Sequence, residues 1–336
     1  MAEEKHSAEI DRYSKPITRR DFIKGTALTI AGLSLGIDIF GCGKRPPEYT
    51  PSIRKNATMG KSTVVLVRNG EALDEKHIPN QSIINDMVDK ALIALTGEKD
   101  SIAAWKSIIK PSDTVGVKIS ENATHVEVVK AIVKSLHAIG VADQEIIVWD
   151  RKYAGLGYAG IENRNQRFGY RNNVSRIITD RCDALITVPR TKVHWLAGIT
   201  GGLKSWLGSV SGINTKDRSV AFKIHGDSCA EVCSINAIPV IRDKCRLIVV
   251  DALRPLFHGG PQVDPKFLWD YKGLLMSTDP VAVDVVCLKI LQEKRNEFEG
   301  REWPINPPVK HLFVADKKYG LGNSDWNKIE VKESII

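Results

Sequence analysis

Apolar residues follow two rhythms along this chain, and their alternation sets the fold expectation. Ser62 to Arg68 (STVVLVR) has the length and β-branched composition of a buried strand, and Ile83 to Leu95 follows with helical spacing. Thr114 to Ile119 is the next strand. Thr124-His125-Val126-Glu127 then has the form of a capping box, in which a threonine covers a free N–H and a glutamate three residues on reaches back. Val129, Ile132, Val133, Leu136 and Ile139 make one apolar face opposite Glu127, Lys130, Lys134 and His137, and Gly140 stands where a left-handed residue closes a helix. Glu145 to Trp149 completes a β-α-β unit whose short connection favours a parallel pair.

Ala184 to Val188 and Leu247 to Val250 read as further buried strands. Asp279-Pro280 opens a helix, with the aspartate as cap, proline in the first turn, and Val281, Val285, Leu288 and Leu291 as its buried face. His311 to Ala315 is expected as the last strand. The pattern predicts an α/β fold: a mostly parallel, doubly wound sheet with helices on both faces and ligands at the carboxyl ends of its strands.

The first forty residues do not fit this rhythm. Thr18-Arg19-Arg20-Asp21-Phe22-Ile23-Lys24 has the form of a twin-arginine export signal, which a receptor reads. Gly25 to Phe40 behind it is a moderately apolar stretch, of signal length and too short to span a bilayer. It ends at Ile39-Phe40-Gly41-Cys42, which resembles a lipobox and makes Cys42 a candidate for lipidation. The expected organisation is a signal segment over 1–41, a tether over 42–60 and an α/β domain over 61–336. The expected location is the periplasm or the outer face of the cytoplasmic membrane.

Composition changes this picture in two respects. The net charge is +8, and removing residues 1–41, with six basic and six acidic side chains, leaves it unchanged, so the positive charge belongs to the domain. It favours anionic ligands. The basic residues are scattered and not interleaved with aromatics, which argues against nucleic acid. The six cysteines contain no Cys-x-x-Cys pair, which argues against zinc ribbons, thioredoxin motifs and bacterial ferredoxin runs.

Candidate chemistry gathers at predicted strand ends: Lys118, Asp150-Arg151, Lys192 with His194, and Asp251. Gly155-Leu156-Gly157-Tyr158-Ala159-Gly160 fits a dinucleotide fingerprint. The polar stretch from Ile161 to Arg171 lacks the helix such a site needs, so it reads as a loop. Gly198 to Ser205 (GITGGLKS) misses a Walker sequence by Leu203, which stands where glycine must wrap phosphate. Thr200 is expected to cap a helix whose first N–H groups, with Lys204, hold a carboxylate or phosphate; the alternative is a glycine-rich turn needed for close packing. His225, Cys229 and Cys233 fall at i, i+4 and i+8, one helix face, with His225 and Cys229 as candidate metal ligands. Cys233, Cys245 and Cys287 read as core.

With these residues in view, the chain resembles the domain of unknown function 362 family, in the branch that carries twin-arginine signals. The likeness runs from about Thr114 to Gly322. It rests on Val115-Gly116-Val117-Lys118, Thr124-His125-x-Glu127, Asp150-Arg151, Val188-Pro189-x-x-Lys192-x-His194, Thr200 with Lys204, the His225 to Lys244 stretch, Asp251-Ala252-Leu253, Gly259-Gly260-Pro261 and Ser277-x-Asp279-Pro280-Val281-Ala282-Val283-Asp284. The family implies no established reaction. Some relatives carry ferredoxin-type modules, which implies a redox neighbourhood; this chain has no such module. It also departs at Ser120-Glu121-Asn122 and at Ser205-Trp206, where asparagines are usual.

The expectation is an exported enzyme, redox-linked and dependent on a metal or iron–sulfur centre, acting on a small anion. In it Lys118, Arg151, Lys192 and Lys204 bind the anion and His194 transfers protons. Its rivals are a non-catalytic anion-binding protein and an assembly partner of a redox complex. Expected partners are the twin-arginine machinery, the membrane through the N-terminal anchor, and a redox protein.

Overall fold

The computed structural model describes residues 51–52, 60–120, 123–151, 169–211, 224 and 226–336. Arg19, Arg20, Cys42, most of the 42–60 stretch, the Gly155–Gly160 motif and His225 lie outside the described residues. In chain order the strands and helices are β1 (Ser62–Arg68), α1 (Gln81–Thr96), α2 (Ser101–Ile108), β2 (Val115–Ile119), α3 (Val126–Ala138), β3 (Ile146–Trp149), β4 (Tyr170–Arg171) and β5 (Val174–Ser175). There follow β6 (Ala184–Val188), β7 (Arg190–His194), β8 (Gly198–Thr200), α4 (Gly202–Ser205), α5 (Pro239–Arg242), β9 (Cys245–Leu256), β10 (Gly273–Ser277), α6 (Pro280–Glu299), α7 (Lys310–Lys317) and β11 (Ile329–Ile335).

The sheet runs β11-β1-β10-β9-β6-β2-β3. β3, β2, β6 and β9 are mutually parallel, as are β1 and β11, while β10 is antiparallel to both its neighbours. This is an α/β fold with a mixed, mostly parallel sheet. Alternation along the strands divides the interior in two. Val65, Val67, Val115, Val117, Leu247 and Val249 pack under α1, α2 and α3, whereas Val64, Leu66, Ile248, Val250 and Leu275 pack under α6. Helices therefore cover both faces, and the near-continuous apolar strands are those of a sheet buried on both sides.

Most local signals act as read. β1 spans Ser62–Arg68, Gly140 takes φ 98° just past α3, and Asp279 caps α6 by accepting from the N–H groups of Val281 and Ala282. Two expectations fail. The capping box does not form: His125 is the N-cap of α3 with no side-chain bond, because the Thr124 hydroxyl donates instead to the Val188 carbonyl at 2.7 Å. That contact ties the start of α3 to the end of β6. His311 to Ala315 is helix, not strand: it lies within α7, and the last strand is β11. A five-residue apolar run does not distinguish the two periods, and here the helical one holds.

β7 matters most for function. It continues from β6 after Pro189, whose carbonyl accepts the Asp251 N–H, and it pairs in parallel with the far half of β9. β8 folds back on it antiparallel, setting Lys192 opposite Thr200 and His194 opposite Gly198. The sheet is thereby extended past the carboxyl end of β6, where this architecture places ligands.

Candidate functional site

The α4 turn sits at this edge with its backbone fixed from several sides. Asp284, fully buried on α6, accepts the N–H groups of Gly202 at 2.6 Å and Leu203 at 3.0 Å. The Asn236 amide donates to the Leu203 carbonyl at 2.8 Å, and the Ser205 hydroxyl meets that of Thr187 at 2.8 Å. A Cβ at Gly201 would stand 2.1 Å from Oδ1 of Asp284, so the glycine is required for this approach. The expectation of an external anion at this helix start is corrected here. The protein's own carboxylate takes both donors, Gly201 is the N-cap, and Thr200 ends β8 with its buried hydroxyl unpartnered. The alternative of a close-packing turn accounts for the glycines.

The side chain of Lys204 is a different matter. It is 9 % exposed, and among the described residues nothing accepts from its ammonium. Burial lowers its pKa to about 8; the neighbouring Cys229 acts against the shift, and the charge of Lys192 adds to it. Lys192 is itself held below the usual lysine range by burial and then by Arg190. The Arg190 guanidinium donates to the carbonyls of Ala123 at 3.2 Å and Arg254 at 3.1 Å. Arg190, Lys192 and His194 alternate along β7 with the buried Thr191 and Val193, so the three basic residues share one side of the strand. A cavity of about 160 Å³ opens against Arg190 and Lys192, its other walls mostly apolar: Leu256, Pro261, Val263 and Leu268. A larger hollow, about 330 Å³, lies on the outer side of α1 and α3 beside Gln81, Asn85 and Lys130, away from these strand ends.

His311 is the residue that sequence reasoning missed. It is fully buried on α7, both ring nitrogens lack a partner, and burial, with the charge of Lys204 adding, pushes its pKa down to about 3. Its ring is neutral near pH 7. The signal in the sequence was weak, because a lone histidine in an apolar run reads as core. His194, buried at the end of β7, accepts the Leu196 N–H through Nδ1 at 3.1 Å, which puts the proton of the neutral ring on Nε2.

The remaining candidates are placed elsewhere. Lys118 is buried at the end of β2, donating to Asp150 at 2.6 Å and to the Ile119 carbonyl at 2.7 Å, so its charge is already matched. Arg151 follows β3, half-buried, its N–H bonded to Asp150. Asp251 is on the opposite side of the sheet from α4, along with Leu247 and Val249. It is fully buried and accepts from the backbone and the Nδ1 of His125, both at 2.8 Å. Burial pushes its pKa up, yet His125 and Arg190 outweigh that and hold it below the usual carboxylate range. It ties β9 to the start of α3.

The helical face expected for His225, Cys229 and Cys233 is not formed among the described residues. Asp227, Ser228 and Cys229 have positive φ, which kinks the segment Asp227–Ile235 and breaks the helical spacing between Cys229 and Cys233. The described cysteines do not fit an iron–sulfur centre either. Cys182, Cys229, Cys233 and Cys287 each belong to a different packed cluster, and among the described residues no group of three or more His, Cys, Asp or Glu side chains is placed to hold a metal.

Fold and site together define an α/β protein whose extended strand ends carry a cavity lined by Arg190 and Lys192, with the buried Lys204 on the α4 turn; no described carboxylate pairs with either lysine. The family described as Domain of unknown function (DUF362) matches residues 156–289, a span that includes β6 to β9, α4 and the first half of α6. It takes in Lys192, His194, Thr200, Lys204 and Asp284 and leaves out Lys118 and His311. No curated protein matches the chain. Among solved structures it is similar to a crystal structure of a protein from Thermotoga maritima, at 14 % identity and a TM-score of 0.37. That likeness covers 66 % of this chain and 59 % of the other, so the chain spans about three fifths of that structure's length.

Proposed function

We propose that this chain binds a small anion of the carboxylate, phosphate or sulfate class at the extended strand ends, with Lys192 and Lys204 as its cations. One observation carries the reading: Lys192 and Lys204 are both substantially buried, each lowers or is lowered by a neighbouring cation, and neither has an acceptor among the described residues. A buried cation is normally paired. An anion bridging the two ammonium groups would supply the missing partner, and each charge-assisted hydrogen bond contributes about 1.5–3 kcal/mol. Titration calorimetry of the exported protein with phosphate, sulfate and oxalate tests this. Lys204→Ala should weaken binding about tenfold to a hundredfold, and Lys192→Ala similarly, while Lys106→Ala on α2 should leave it unchanged. Equal affinities in all four proteins would refute the site.

The same proposal includes location. The twin-arginine pattern around Arg19 and Arg20 supports export in the folded state by that machinery, and Cys42 supports attachment to the membrane by lipid. Arg19→Lys with Arg20→Lys should trap the precursor in the cytoplasm; unimpaired export of that variant would reject the route. An exported enzyme using His194 for proton transfer, with a redox protein as partner, is the wider reading of the same site.

A further inference from the structure

We infer that the cavity against Arg190 and Lys192 is a site for a short aliphatic monocarboxylate, whose carboxylate meets the two cations and whose hydrocarbon chain covers the apolar walls. This deepens the anion reading and rests on it for the role of Lys192.

The walls are fixed by backbone contacts. β7 pairs with β9 so that Lys192 stands opposite Leu256, and Leu256 bridges antiparallel to Leu268. The Phe257 N–H donates to the Phe267 carbonyl at 3.0 Å and holds that returning segment against the end of β9. The loop between them turns back over β7. The Gly260 carbonyl accepts the Trp195 N–H at 3.1 Å, and a Cβ on Gly260 would stand 1.9 Å from the Val193 carbonyl oxygen. Only glycine permits that approach, and it brings Pro261 and Val263 to the cavity. Two cations and five apolar residues, Ala123 included, thus face the same space. Sites for small molecules are lined in this way, mostly by hydrocarbon with a few polar groups that fix orientation.

Free donors and charge balance select the head group. The Arg190 Nε and Nη2 donate to the Arg254 carbonyl and Nη1 donates to that of Ala123, which leaves one hydrogen on each terminal nitrogen. Lys192 has no acceptor among the described residues. Nearby, Asp270 is paired with Arg254. Asp251, in register with Arg190, accepts from the backbone and ring of His125 and from the Leu253 N–H. Asp251 therefore answers one of the two positive charges at the cavity, and a single carboxylate balances the other. Phosphate, sulfate and oxalate can meet the same cation but have no hydrocarbon to set against the walls. Size selects the chain. The cavity, about 160 Å³, is close to the roughly 150 Å³ apolar cavity that takes up benzene, so a chain of about four to six carbons fits.

NMR titration of the full chain with acetate, pentanoate and pentanamide, at constant ionic strength, tests this. Each methylene taken out of water should tighten binding about threefold to fourfold, so pentanoate should bind about thirtyfold to sixtyfold more tightly than acetate. Pentanamide, of the same length but uncharged, should bind at least about tenfold more weakly than pentanoate. Lys192→Ala should weaken pentanoate binding about tenfold to a hundredfold. Val263→Asn, at a wall position that is 54 % exposed and outside the core, should weaken pentanoate about threefold or more and leave acetate unchanged. Equal affinities for acetate and pentanoate would overturn the inference. So would pentanoate binding that survives Lys192→Ala or that Val263→Asn leaves untouched, although oxalate binding lost in Lys204→Ala would still uphold the anion reading. Folded wild type that binds neither pentanoate nor oxalate would remove both.

Discussion

Asp284 lies inside an apolar helical run, Val281-Ala282-Val283-Asp284, and nothing in that run announces its task. In the fold its carboxyl is fully buried between α6 and α4, and burial, with the charge of Asp279 adding, raises its pKa to about 7 although two N–H groups favour the ionised form. The folded chain therefore holds a proton that the unfolded chain has released between the ordinary carboxyl value of 3.8 and about 7. The stability this group contributes is complete below that window and is lost as pH rises through it, by up to about 1.4 kcal/mol per pH unit. Asp279 is raised by burial and acts in the same sense. Asp251 has the opposite sign, being held down by His125 and Arg190 against burial, so its contribution is lost only as pH falls below 3.8. Denaturant unfolding of the wild type should thus show falling stability from pH 5 to pH 7. Asp284→Asn should flatten that slope at an overall loss of about 1–3 kcal/mol, since its amide leaves one N–H unmatched. Parallel slopes in the two proteins would show that Asp284 does not carry the effect.

At the scale of elements, the β8–α4 turn is the piece on which the site depends. A methyl group at Gly201 would collide with an Asp284 carboxylate that has nowhere to move, being bonded to the next two residues. Gly201→Ala should cost about 1–3 kcal/mol of stability, read as a lowered melting temperature, whereas Gly97→Ala would test only a left-handed C-cap with open space around it. The glycines of GITGGLKS were visible in the sequence, and so was the lysine. What they do was not, because their partner lies about eighty residues away on α6. Periodicity found β1, β2, β3 and β6 with their limits nearly right, and the start of α6, since each is strongly patterned or capped. It misread α7 as a strand, and with it the place of His311. It also assigned Thr124 to a local cap when a tertiary bond to Val188 claims the hydroxyl. Lys118 and Asp150 stand at strand ends as read, yet they are paired with each other; Asp251 lies in the middle of β9, which runs on to Leu256, and is turned to the other side of the sheet.

At the scale of the whole molecule, a parallel sheet covered on both faces leaves its strand ends as the place where polar groups can gather without burying unmatched charge in the core. β7 and β8 extend the sheet there, and part of the positive charge read from composition becomes local: Arg190 and Lys192 at one cavity, and the buried Lys204 on the α4 turn. In the proposed function an anion completes this site. A protein that binds such a ligand only when folded is stabilised by it through mass action. The most direct test is the melting temperature of the full chain with and without oxalate, at constant ionic strength, in wild type and in Lys204→Met. Oxalate should raise the wild-type value. In the variant the value without oxalate should be unchanged or higher, because an unmatched buried charge is gone, and the response to oxalate should be lost. An equal rise in both proteins, or a variant that simply melts at a much lower temperature, would rule out an anion site at Lys204.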